Sequence, residues 1–314
     1  DERAVVHALA LVVVHCLPFV PANGVAAARD CRADAAVSGM PARPARAPGG
    51  HEFLHSLQGL SDEQREAAIY AQLMSGNVPG FLRRLAPVHL RGRGPDGGAI
   101  EATVCVTPDY LAVGTDDDYF LVPMRLETAL AVADHYGFAL PTPRLVDAIY
   151  QQSGVRLRPQ PLPAGDTMRS TAYYWRHSTL VQVQRALTGA PLGLLTAGDK
   201  KDLVITNRLW TQLERVAIYG WHLGSGRPIQ PLSTVHGWRY ADYSHGVRLV
   251  SDVAYVDGQP RSLLDLLGNA HTAGLFSDEG AMPRLDQLFR RLRARFLPDG
   301  GTRAASRILA AAES

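Results

Sequence analysis

His222, His236 and His245 lie in one stretch of the 314-residue chain, Arg215 to Val250, with Asp242, Ser244 and Arg248 among them. Trp221, Trp238, Tyr240 and Tyr243 add ring faces and hydrogen-bond donors to the same segment. Three kinds of chemistry fit this set. His222, His236 and His245, with Asp242 as an alternative third ligand, could bind Zn²⁺ and leave a position open for water; Lys201 or Arg248 would then hold a substrate carboxylate. Without a metal, Asp242 or Asp202 would orient a histidine for general acid–base work, with Ser244 or Tyr243 as nucleophile or proton donor. In a non-catalytic binding module, the four Trp and Tyr residues would stack on sugar rings and the histidines would only hydrogen-bond. The candidate catalytic residues are therefore His222, His236, Asp242, Ser244 and His245. Lys201, Trp221, Tyr243 and Arg248 are the candidate substrate contacts, and His222, His236 and His245 the candidate metal ligands.

Lys200 and Lys201 sit just upstream and are the only lysines in the chain. Arginine serves everywhere else, so two surviving ammonium groups mark a place where a compact charge is wanted rather than a planar fork. Adjacent residues at a strand start point to opposite faces. One lysine should therefore face the histidines and the other solvent; Lys201, next to Asp202, is the expected site residue.

His236-Gly237, followed by Ser244-His245-Gly246 and Arg248-Leu249, resembles the motif of the L,D-transpeptidases, which cross-link bacterial peptidoglycan. The resemblance covers only this short stretch, and Val247 stands where that family has its nucleophilic cysteine. It implies a similar loop shape and a cell-envelope setting, not thiol chemistry.

The elements that must position these residues are mixed. Alternation in RVAIYGWH puts Val216, Ile218 and Gly220 on one strand face and leaves His222 at the strand end, where loops gather functional groups. The same alternation in GVRLV turns Val247 and Leu249 inward and Arg248 outward. Further strands are expected at PVHLR, AIEATVCV, LGLLTAG, DLVIT and GVRLVSDVAYVDG, and a small meander on either side of the TDDD turn. Helices are expected after the capping-box start at Ser61, from Glu127 to Tyr136, after Thr142-Pro143, over Ser178 to Leu187 with His177 just ahead of it, from Pro260 to Leu267, and in the closing segment that carries Leu285, Leu288, Phe289 and Leu292. The reading is an α+β fold with a mixed or antiparallel sheet, flanking helices and a strand-rich C-terminal half.

With 46% hydrophobic residues the chain can bury a sizeable core, and a formal net charge of +2 predicts no nucleic-acid partner. Residues 1–28 resemble a secretory signal, an apolar run after Arg3 ending in small residues; it is too short and too interrupted to span a membrane. Residues 29–50, rich in Ala, Arg, Pro and Gly, read as a disordered linker, 51–297 as a single domain, and 298–314 as a tail with a weak helix. Cys31 and Cys105 could bridge in an oxidising compartment or remain a free thiol and a buried one. There is no Walker loop, GxGxxG, HExxH or GxSxG. Together these features predict a secreted or periplasmic hydrolase-type enzyme acting on an extracellular or envelope polymer or an anionic small molecule. The alternative is a carbohydrate- or envelope-binding protein.

Overall fold

The computed structural model describes residue 31 and residues 40–94 and 96–294. The signal-like segment 1–28, most of the 29–39 stretch and the 298–314 tail lie outside the described residues. In chain order the elements are α1 (Gly50–Ser56), α2 (Asp62–Met74), β1 (Ala86–Arg93), β2 (Ala99–Val106), β3 (Ala112–Gly114), β4 (Tyr119–Leu121), α3 (Leu126–His135), β5 (Phe138–Ala139), α4 (Pro143–Gln152), β6 (Val155–Arg156) and α5 (Thr171–Leu187). Then follow β7 (Thr196–Ala197), β8 (Lys201–Leu203), β9 (Ile218–His222), β10 (Pro228–Ser233), β11 (His245–Gly246), β12 (Val250–Val256), β13 (Gln259–Ser262), α6 (Leu263–Gly268) and α7 (Leu285–Arg293).

The fold is α+β. One sheet runs β1-β2-β12-β13 with β5 also on β12, and its pairings are antiparallel. The second runs β10-β9-β8-β11, antiparallel except where β11 joins β8 in parallel. Local chemistry explains several helix starts. Ser61 and Gln64 form a reciprocal capping box on α2, Thr142 caps α4 ahead of Pro143, and Ser170 caps α5. On α7, Leu285, Leu288, Phe289 and Leu292 are buried, as helical spacing requires. Buried apolar residues from Cys31 to Leu292 form one continuous core. Among the described residues, no helix is long and apolar enough to cross a membrane.

Four expectations are corrected. Residues 40–50 do not behave as a disordered linker: Met40 is buried, and Arg43 donates to Asn77 Oδ1 and to the carbonyls of Gly114, Ala47 and Pro48. One guanidinium supplies the donors that dock a segment poor in apolar side chains. Helix α5 starts at Thr171, because Ser170 caps it, so His177 lies inside the helix rather than ahead of it. Pro260 sits in β13, which pairs with β12, and α6 begins only after Ser262. The LGLLTAG strand shrinks to Thr196–Ala197. Cys31 and Cys105, left open by the sequence, form a disulfide across a separation of 74 residues.

Candidate functional site

The site is built on β8. On one side Lys201 pairs with Gly220 of β9, and on the other with His245 of β11. This packing requires Gly246: a Cβ there would lie 2.6 Å from Tyr110 Cδ1 and 2.7 Å from Lys200 Cβ. Immediately before β11 the chain makes a tight polar turn. Asp242 Oδ1 accepts from the Ser244 backbone N–H at 2.8 Å and from the Ser244 hydroxyl at 2.5 Å. Tyr240 donates its phenol to Asp242 Oδ2 at 2.9 Å. Burial pushes the Asp242 carboxyl up, but His245, the two Ser244 donors and Lys201 outweigh it and hold it down at about 2. Asp242 is therefore a fixed negative charge at neutral pH.

His245 is fully buried beside that carboxylate, and neither of its ring nitrogens has a hydrogen-bond partner among the described residues. Burial lowers its pKa to about 4 against the opposing pull of Asp242. It is thus a neutral imidazole with one unspent donor and one unspent acceptor. Tyr240 meets His245 edge-on, with ring centroids 5.8 Å apart, and His236 stacks flat on the other end of this group, 3.9 Å from Tyr240. Lys201 places its ammonium 5.0 Å from the centre of the Trp221 ring. Burial lowers the Lys201 pKa while Asp242 raises it.

The structure thus brings Asp242, Ser244, His245, His236, Lys201 and Trp221 together. It separates His222 from them. Strand β8 lies between β9 and β11, about two strand spacings of ~4.8 Å. His222 faces α4 instead, with Nε2 2.8 Å from Asp147 Oδ1 and its ring stacked on Tyr150 at 4.4 Å. The expected zinc ligands His222, His236 and His245 therefore do not converge. Among the described residues, no group of three or more His, Cys, Asp or Glu could hold a metal ion. Alternation identified the strand but could not show that a helix carrying Asp147 would cover its end.

Arg248 is also relocated. It was expected to face outward but is completely buried, donating to Thr107 O at 2.8 Å and Thr196 O at 2.6 Å, with its guanidinium 4.4 Å above the Tyr110 ring. Residues 247–249 lie between β11 and β12, outside regular pairing, so period two does not apply there. Tyr110 in turn donates to Asp202 Oδ2 at 2.8 Å. Tyr243 uses its phenol on the Leu162 backbone, accepting from its N–H at 2.8 Å, which assigns it to packing rather than to substrate contact. Ser244, offered as a nucleophile, turns its hydroxyl to Asp242 and not to a histidine.

Compared with known proteins, the chain matches no protein-family model, no curated protein and no solved structure. The geometry has to speak for itself.

Two residues outside the expected list belong to the neighbourhood. Lys200 does not face solvent; it is 1% exposed and donates to Tyr243 O at 2.7 Å and to His177 Nδ1 at 3.0 Å. Burial brings its pKa down to about 8 against Asp199, Asp242 and Asp109. His177 is fully buried, and burial and Lys200 lower its pKa to about 2. The lysine doublet was a visible signal for Lys200. The local sequence leaves His177 open between facing the site and merely starting a helix, and helix α5 brings it to the site from a distant part of the chain. Trp221, whose indole N–H donates to Asp199 O at 2.9 Å, holds a left-handed backbone with φ of 57°. For a bulky residue that is a strained conformation, maintained only because its surroundings over-determine it.

Proposed function

We propose that the protein is an exported hydrolase-type enzyme acting on an extracellular or cell-envelope polymer, with His245 as its general acid–base group. The observation that carries this reading is a fully buried, neutral imidazole with both nitrogens unpaired, beside an ionised carboxylate and an ammonium. Natural proteins rarely leave buried polar atoms unsatisfied without a functional reason. In this mechanism His245 takes a proton from the attacking water as the new C–O bond forms. It returns that proton to the leaving group as the scissile bond breaks, so one water is consumed and the imidazole ends neutral. Asp242 stabilises the transient imidazolium, and Lys201 holds an anionic group of the substrate. Half-buried His236 and Tyr240 cover His245, so substrate entry moves Tyr240 aside.

Export is supported by the Cys31–Cys105 disulfide, a bond favoured in oxidising compartments. The Ser-His-Gly loop similar to that of the L,D-transpeptidases supports the envelope. Because Val247 is buried at the cysteine position and the two cysteines among the described residues, Cys31 and Cys105, are bonded to each other, water rather than a thiolate is the nucleophile in this reading. The test is incubation with purified peptidoglycan and with polysaccharide fragments, followed by mass spectrometry of the products. Release of hydrolysed fragments by the parent and not by His245→Gln supports the reading. Saturable binding with no product would favour the alternative, a carbohydrate- or envelope-binding protein, which the half-buried Trp238 and the His236–Tyr240 stack would suit.

A further inference from the structure

His177 has one partner and one free end. Lys200 Nζ lies 3.0 Å from His177 Nδ1 and also donates to Tyr243 O. An ammonium carries three hydrogens and no lone pair, so it can only donate. Nδ1 must therefore accept, and the proton of the neutral ring sits on Nε2. That nitrogen is buried and has no acceptor among the described residues. The ring stands edge-on to Trp221, with centroids 6.4 Å apart, and Trp221 carries the Lys201 ammonium 5.0 Å from its own centre. His177 thus presents a tautomer-locked N–H on one side of the indole whose neighbourhood also holds a cation. The indole N–H bond to Asp199 O holds Trp221 at this junction despite its left-handed backbone.

We propose that His177 Nε2–H and the Lys201 ammonium form the substrate-recognition half of the site, and that its ligands are acyl compounds, amides or esters, bearing a carboxylate. The N–H bonds the carbonyl oxygen, and the oxyanion that develops on it, while the ammonium holds the carboxylate. A donor with no accepting atom selects an oxygen with lone pairs, and a neutral imidazole donor is suited to stabilising developing negative charge without losing its proton beforehand. Lys200 and Lys201 both exclude a cationic ligand by like-charge repulsion. Lys200 is a positioning residue here: it acts by fixing the imidazole tautomer and touches no substrate. This inference rests on the proposed hydrolase reading and narrows its substrate to acyl compounds.

The test is NMR of protein labelled with ¹⁵N-histidine, titrated with N-acetylglycine, with acetamide, and with ethylamine as a cationic control. The His177 signals are assigned by their loss in His177→Phe and, independently of whether that variant folds, by their selective change in Lys200→Met, which removes the partner of Nδ1. We expect the parent proton on Nε2, a saturable shift of that resonance with N-acetylglycine, and no response to ethylamine. Lys201→Met should weaken the N-acetylglycine response at least tenfold while leaving that to acetamide unchanged. Lys200→Met should replace the single tautomer by a mixture. A parent proton on Nδ1, or an Nε2 resonance that N-acetylglycine does not move, overturns the inference. The outcome is independent of turnover. A responding His177 in a protein that hydrolyses nothing retains the recognition site and rejects the enzyme reading; hydrolysis that depends on His245 with a silent His177 does the reverse.

Discussion

His222 and His245 are buried histidines beside aspartates, and they are built in opposite ways. His222 is satisfied: Asp147 takes its Nε2, Tyr150 stacks on its face, and the Tyr219 phenol holds both Asp147 oxygens at 3.0 Å. His245 has a carboxylate nearby, yet Asp242 is fully engaged with Ser244 and Tyr240, and the imidazole is left without a partner. Both histidines lie on strands flanking β8, and residue type alone makes them equal candidates. The difference teaches that a His–Asp pair closed on itself stabilises a fold, whereas one whose carboxylate is tied elsewhere keeps an imidazole available for chemistry.

The largest effect that would break this comparison is kinetic. His245→Gln should lower kcat by ~10²–10⁴-fold, because an amide cannot take up and return a proton at neutral pH. His222→Gln should leave turnover per folded molecule within about twofold of the parent, so full activity in the first variant or inactivity in the second would reverse the assignment.

Arg248→Met comes next. The guanidinium lies among Tyr110, Asp202 and Asp109, and Asp109 is already pushed up to about 7 by burial and by Asp199. Removing the cation leaves buried carboxylates uncompensated, and urea unfolding should show a loss of ~3–5 kcal/mol. A near-neutral result would mean that these carboxylates are protonated in the folded state and need no counter-charge.

Acid should then distinguish the parent from His245→Gln. The histidine is held at about 4 in the folded protein against an ordinary value of 6.5, so between those pH values the unfolded chain binds more protons. Stability contributed at this position is present above the upper value and is lost as pH falls through the window. Melts from pH 7 to 4 should show the parent losing up to ~3 kcal/mol relative to the variant. Parallel curves would indicate that His245 is not desolvated in solution.

Smaller still, His222→Gln should cost ~1–3 kcal/mol by weakening the bond to Asp147 and removing the ring stacked on Tyr150, measured by denaturant titration. The lysines should separate at the low end. Lys201→Arg should raise KM severalfold with little change in melting temperature, since its ammonium lies over Trp221 and only partly in the interior. Lys200→Arg should instead lower the melting temperature, because a longer, planar fork cannot fit where the buried Lys200 ammonium is enclosed by His177 and Tyr243.

Much of the local architecture was legible in the residues. The Ser61 capping box, the Thr142-Pro143 start, the AIEATVCV strand and the apolar face of α7 follow from side-chain chemistry acting over three or four residues. The loop at Asp242–His245 was also legible, because its own Asp, Ser and His residues make the turn. What the sequence by itself determined is therefore the α+β class, several element starts, and the segment that carries the candidate site. Only the tertiary structure decided which histidine is spent and which is free. That outcome depends on partners distant in the chain: Asp147 from α4 engages His222, and His177 from α5 meets Lys200. Periodicity reports which face of an element is buried but not what the burial is against, so Arg248 and Lys200, both expected at or near solvent, became interior charges held by carbonyls from remote segments.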